Sequence, residues 1–216
     1  DFNYEWSESG VYNKSVIFNG SAKGMVIHET PSLNEIENFS ILLWVNPSRL
    51  NDVRLIFSLG EMDSSKFAVR TQQEKVILSF GKNMHIDTGI TLETNLWQHL
   101  AFVFDKDKKM ITFYLDGTLV NQIDYPESFS GTAVFLNTPL YLASAGDRQG
   151  YAGMMDDFKL FSKLLTQDEV IENQKQGIPK VESDIETLSL AEIKTRISRL
   201  EQKLGELRQE KIKADQ

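Results

Sequence analysis

The chain has 216 residues, 23 Lys plus Arg against 31 Asp plus Glu, a formal net charge of −8 and no cysteine. Without cysteine there is no disulfide scaffold, thiolate metal site or cysteine nucleophile, and the acidic balance disfavours a nucleic-acid backbone, which needs clustered Lys and Arg. No apolar run reaches the ~20 residues of a membrane span, and with no signal peptide and no initial Met the chain reads as a mature protein or an excised fragment.

The run 39–45 is apolar, carries β-branched and aromatic residues, and stops at Asn46-Pro47-Ser48, which predicts a strand. A second, 54–59, ends at Gly60; 66–70 and 75–80 are short alternating runs split by Thr71-Gln72-Gln73-Glu74. The segment 97–105 carries Trp97, Leu100, Phe102 and Phe104 and ends in Asp105-Lys106-Asp107-Lys108. Runs 110–115 and 118–123 flank Asp116-Gly117, the strongest hairpin signal in the chain, because a two-residue turn of this kind needs positive φ. Runs 140–144 and 154–161 complete the set. Short strands at roughly 8–12-residue spacing, with no alternation of strand and helix, predict an all-β fold: a two-sheet antiparallel jelly-roll sandwich.

One short helix closes this body. Thr166-Gln167-Asp168-Glu169 has the form of a capping box, and the helix runs to about 176. Gly177-Ile178-Pro179 then marks a boundary: Gly suits a helix C-cap and Pro stops continuation. Residues 178–216 hold no aromatic residue and eight basic against eight acidic ones, so the whole charge of −8 belongs to residues 1–177.

Ser189-Leu190-Ala191-Glu192 is a second capping box, and Leu190, Ile193, Ile197, Leu200, Leu204 and Leu207 follow at a/d heptad spacing. Gly205 costs this helix roughly 1 kcal/mol of propensity. At this length self-association through the 189–210 helix, packing on the body or on a neighbouring domain, and a frayed linker all stay open. The expected organisation is a jelly-roll domain over 1–177, a linker over 178–188 and an amphipathic, heptad-bearing helix over 189–216.

Six segments, in order, resemble a laminin G-like domain of the concanavalin A-like lectin/glucanase superfamily. Ser15-Val16-Ile17-Phe18-Asn19-Gly20-Ser21 is similar to its opening strand, and Phe39-Ser40-Ile41-Leu42-Leu43-Trp44-Val45-Asn46-Pro47 to its Phe-Thr-Ile-x-x-Trp-Val-x-Pro strand. Asn95-Leu96-Trp97-Gln98-His99-Leu100-Ala101 resembles the Trp-x-His-Val-Ala strand, and Ile111-Thr112-Phe113-Tyr114-Leu115-Asp116-Gly117 the Leu-Tyr-Val-Asp-Gly hairpin. Gly153-Met154-Met155-Asp156-Asp157-Phe158-Lys159-Leu160-Phe161 resembles the closing strand, and Leu164-Leu165-Thr166-Gln167-Asp168-Glu169-Val170 the terminal Ala-Leu-Ser-x-x-Glu-Ile. The resemblance covers about 11–177 and implies the two-sheet jelly roll; it says nothing about the tail.

The resemblance also implies a calcium ion where the first and last strands meet, held by Asp156 with Asn19 and Gly20 as the early partners. Calcium takes six to eight hard oxygens, so one carboxylate with carbonyls suffices; Asn19 stands where the family usually has Asp. Catalysis in the glucanase branch needs Glu-x-Asp-x-Glu on one strand. Glu182-Ser183-Asp184-Ile185-Glu186 has that spacing but lies after the closing strand, so no catalytic residues are assigned. His28, His85 and His99 lack zinc spacing; His99 is expected to pack in the sheet, His28 and His85 to lie at the surface, and Trp44 and Trp97 to be core.

Ligand recognition remains. Asp147-Arg148-Gln149-Gly150-Tyr151 puts charged, amide and aromatic side chains in one tight rim loop, the combination that reads sugar hydroxyls and apolar sugar faces. The expected ligand-binding residues are Asp147, Arg148, Gln149 and Tyr151, with Tyr125, Arg70 and Glu61 as companions if the concave face is used. The expected function is a non-catalytic binding or adhesion module of a larger extracellular or cell-surface protein, recognising a glycan or a protein. The alternatives are a structural domain assembling through its C-terminal helix, and an accessory carbohydrate-binding domain of a hydrolase.

Overall fold

The computed structural model describes residues 4–21, 24–28, 36–61, 65–126, 129, 135, 137–144 and 150–177. The chain divides into two units, Asp1–Pro179 and Lys180–Gln216; the second, with the heptad series, lies outside the described residues.

The elements of the first unit are β1 (Tyr4–Ser7), β2 (Ser15–Asn19), β3 (Met25–Ile27), β4 (Phe39–Pro47), β5 (Val53–Leu59), β6 (Phe67–Gln72), β7 (Lys75–Phe80), β8 (Met84–Thr91), β9 (Gln98–Asp105), β10 (Met110–Leu115), β11 (Thr118–Asp124), β12 (Leu140–Leu142), β13 (Ala152–Phe161) and α1 (Gln167–Gly177). They form a seven-stranded sheet in the order β1-β2-β13-β4-β9-β10-β11 and a six-stranded sheet in the order β3-β12-β5-β6-β7-β8. The strands pair antiparallel throughout, which is the expected sandwich.

Alternation along each strand builds the core, because successive side chains point to opposite faces. Phe102, Phe104, Ile41 and Leu43 from the seven-stranded sheet meet Phe57, Phe67, Val69 and Leu78 from the other. Phe39 and Phe104 stack with ring centroids 4.4 Å apart, and Phe57 meets Phe102 edge-on at 5.6 Å. Each such fully buried ring stabilises the fold by roughly 1.5–3 kcal/mol.

The Asp116-Gly117 hairpin forms as the sequence predicts, with φ of 49° and 75°. The Thr166 capping box forms as well: Glu169 N–H donates to Thr166 Oγ1 at 3.3 Å, and Thr166 N–H donates to Glu169 Oε2 at 2.9 Å. Val170 of α1 and Leu165 just before it are buried with Leu42, Ala101, Val103 and Tyr114 on the outer face of the seven-stranded sheet.

Three strands lack a sequence signal. β1 and β3 are short edge pieces, and β8 (Met84-His85-Ile86-Asp87-Thr88-Gly89-Ile90-Thr91) is mostly polar. Its alternation is carried by Thr88 and Ile90, both buried. Trp97, expected in the core, lies before β9 and is half-buried. His99 is buried beside Trp44, with ring centroids 5.1 Å apart. Burial, and secondarily the Lys159 charge, lower its pKa to about 4.

Candidate functional site

At one end of the sandwich, the end that carries the predicted rim loop, Arg54 is the organising side chain. Its guanidinium is nearly buried; Nη1 donates to the carbonyls of Gly150 at 3.2 Å and, more weakly, Gly20 at 3.4 Å, while Nη2 pairs with Asp52 at 2.8 Å. It thereby ties the exit of β2 to the entrance of β13. Gly150 must be glycine here, because a Cβ would stand 1.9 Å from the Ser21 carbonyl oxygen. Tyr151 N–H donates to Ala143 O at 2.6 Å, which joins the end of β12 to the start of β13. Asp147, Arg148 and Gln149 lie outside the described residues.

Tyr151 corrects an expectation. Its ring is 1% exposed and belongs to the main core, and its hydroxyl donates to Met154 O at 3.2 Å. Burial raises its pKa well above the ordinary phenol value. The ring holds the stem and offers no face to a ligand. Tyr125, named as a companion, is likewise core, edge-on to Phe129 at 5.1 Å. Glu61 is exposed in the loop after β5.

The calcium set does not converge. In the β2–β13 register Asn19 faces Ala152 and Val16 faces Met155. Asp156 therefore lies four residues along β13 from the Asn19 pairing, a separation of ~13 Å at 3.3 Å per residue. Asn19 Oδ1 accepts the Ser21 N–H at 2.9 Å. The Gly20 carbonyl faces a guanidinium rather than an open cation site. Asp156 Oδ2 accepts the Tyr12 N–H at 2.7 Å; burial lifts this carboxyl above the usual carboxylate value and the backbone donors partly offset that. Asp156, Asn19 and Gly20 as a single set do not fit calcium. Among the described residues no group of three or more Asp, Glu or His side chains could hold a metal ion. Asp157 sits at a bulge in β13 with φ 51° and pairs with Lys159 at 2.7 Å.

The outer face of the six-stranded sheet carries a second constellation. One row across the register runs Val26, Tyr141, Ser58, Ala68, Ser79, His85. The neighbouring row runs Leu55, Arg70, Ile77, Asp87. Leu55 and Ala68 form a small apolar floor with Tyr141 packed on it, separate from the main core. His85 Nδ1 and Ser79 Oγ lie 3.1 Å apart. Arg70 is half-buried; its Nε has no hydrogen-bond partner, and burial lowers its pKa. A buried donor without a partner costs roughly 1–3 kcal/mol, and among the described residues Trp44 Nε1, Arg54 Nε, Thr71 Oγ1, His99 Nδ1 and the Tyr125 hydroxyl share this state. Sequence reading named Arg70 as a companion and expected His85 at the surface, where it lies, but passed over Tyr141 and Ser79. Their signal was parity: Tyr141 alternates with the core residues Leu140 and Leu142, so it points away from the core.

Solved structures share this architecture. The receptor-binding domain of botulinum neurotoxin type G matches with a TM-score of 0.60 at 18% identity, over 81% of this chain and 44% of its own, so the present chain spans less than half of that domain. Domain 4 of AbnA, an extracellular arabinanase from Geobacillus stearothermophilus solved in complex with arabinotriose, matches with a TM-score of 0.62 at 18% identity, over 81% of this chain and 82% of its own. The CBM40 of a Ruminococcus gnavus sialidase, bound to α2,3-sialyllactose, matches with a TM-score of 0.58 at 14% identity, over 76% of this chain and 98% of its own. No curated protein matches significantly. No helix among the described residues is long and apolar enough to cross a membrane. Residues 19–171 match the family model described as the concanavalin A-like lectin/glucanases superfamily, and the chain belongs to that family.

Proposed function

We propose that this domain is a non-catalytic binding module that recognises a glycan, on a protein acting outside the cell or at its surface. The observation that carries the reading is the outer face of the six-stranded sheet: Tyr141 on a floor of Leu55 and Ala68, with the half-buried Arg70, whose Nε has no partner, and the Ser79–His85 pair on the same face. An aromatic ring covers the apolar face of a sugar, and fixed donors and acceptors read its hydroxyls. Two structural relatives carry bound oligosaccharides, arabinotriose in one and sialyllactose in the other, which supports the same use of the fold here.

A glycan array probed with the parent chain, Arg70→Gln and Tyr141→Ala tests it. The expected result is a defined set of bound glycans that both variants lose while keeping the parent's melting temperature within a few degrees. A folded parent that binds no glycan, or variants that bind as the parent does, would overturn it.

A further inference from the structure

One cation on the outer face of the six-stranded sheet lacks its opposite charge. Among the described residues four cationic side chains are withdrawn from solvent in part or in whole: Arg54, Arg70, Lys106 and Lys159. Three of them meet a carboxylate. Arg54 pairs with Asp52 at 2.8 Å, Lys106 with Glu37, and Lys159 with Asp157 at 2.7 Å. The Arg70 guanidinium is in no ion pair of the described residues, and its Nε has no hydrogen-bond partner. Burial lowers its pKa, and no anion offsets that.

The register says why. Arg70 faces Leu55 on β5 and Ile77 on β7, both buried and apolar. The next residue in the row is Asp87, two strand spacings or ~10 Å away, and Lys75 already holds it at 2.8 Å. Tyr141 on β12 and Arg70 on β6 stand on the two strands that flank β5, with the Leu55–Ala68 floor beside both. A charge held over an apolar floor is costly until an opposite charge meets it. The planar fork of Arg matches a carboxylate, and charge-assisted hydrogen bonds are roughly twice as strong as those a neutral hydroxyl would make. The acidic excess of the domain is screened beyond roughly 10 Å, so the local charge decides.

Resting on the glycan reading above, we propose that the ligand of this face is an acidic glycan: the carboxylate of a uronic or sialic acid unit meets the Arg70 guanidinium, and a neighbouring sugar ring lies on Tyr141.

The test uses the full chain and a set of acidic glycans, each beside the same glycan with its carboxylate reduced to an alcohol. The carboxylate forms should bind at least about tenfold more tightly than their reduced counterparts, and rising salt should narrow that ratio. Arg70→Gln should bring each pair within about twofold, and Arg70→Lys should keep part of the preference, because it retains the charge and loses the fork. Tyr141→Ala should weaken both members of a pair and leave their ratio. Should Arg70→Gln fail to fold, the reduced pairs and the salt series need only the parent chain. Equal affinity for acidic and reduced forms, a preference that survives Arg70→Gln, or a preference for sulfated over carboxylated sugars would each overturn the proposal and leave the glycan reading standing. A folded parent that binds neither member of any pair and no neutral glycan would overturn both.

Discussion

The two long sides of the sandwich differ in how closely the sheets meet. On the β8–β11 side the sheets touch. Ile90 and Thr88 are buried, Val120 packs beside Gly89, and α1 lies next to the hairpin with Gln167 Nε2 donating to Gly117 O at 3.2 Å. On the β1–β3 side Trp6 stays exposed beside an open cavity between the sheets, and Val26 and Ile27 of β3 are exposed as well. The closed side buries Thr88 and Ile90 while leaving Met84, Leu119 and Val120 exposed, and the open side leaves Trp6 uncovered. If that contrast is right, equal chemical truncations must have unequal consequences on the two sides.

Ile90→Ala on the closed side should cost the most, about 2–5 kcal/mol, the range for deleting a fully buried aliphatic side chain, read as a lowered urea midpoint with an unchanged m-value. Acid should act next, through His99, whose backbone exchanges hydrogen bonds of 2.8 Å with Asp116 in the hairpin beside α1. With a pKa lowered to about 4, its folded form binds a proton more weakly than the unfolded chain, so acid favours unfolding. The stability it carries is complete above pH ~6.5 and falls by on the order of 3 kcal/mol as the pH drops to about 4. Parent and His99→Asn melts across that window check it: the variant should lose this part of the pH slope. Gly89→Ala follows, at about 1–3 kcal/mol, because φ is +80° and the new Cβ would lie 3.2 Å from Val120 Cγ1. Adding Val120→Ala should recover the steric share and leave the backbone share. Thr166→Ala removes the α1 cap and should cost ~1 kcal/mol, visible as faster amide exchange in α1. Trp6→Ala on the open side should change stability by less than ~0.5 kcal/mol. A large loss there would mean that the indole closes the sandwich after all, and the contrast would fail.

The sequence revealed those parts of the fold whose physics is local. Asp116-Gly117 was readable because its turn needs positive φ at two adjacent residues, and Thr166 with Glu169 because the capping bonds span three residues. The central strands were readable because both faces are apolar, one against the core and one under α1 or the small outer floor. β1 and β3 were not: three or four residues carry too few alternations, and β3 gains its pairing from the distant β12. Site geometry was less legible still. Asn19 and Asp156 seemed to belong together because the first and last strands are neighbours, but register decides which residues face each other, and Asn19 faces Ala152. Tyr151 beside Gly150 could equally have been a sugar platform or a core ring, and only packing separates the two. Arg70 carries no local mark either; its place on the outer face beside Leu55 and Ile77 follows only from the register.

The position of β13 has a consequence in time. It sits inside the seven-stranded sheet, between β2 and β4, although its residues are the last of the strands to be made. Until 152–161 exist, β1 and β2 have no central strand to join, and the sheet has a gap where its edge pair should attach. Contacts this far apart in sequence are slow to form because a long loop must close first. The newly made chain therefore carries an unpaired β4 edge, with its apolar inner face, until synthesis has passed the closing strand, and that interval is when it is most exposed to aggregation.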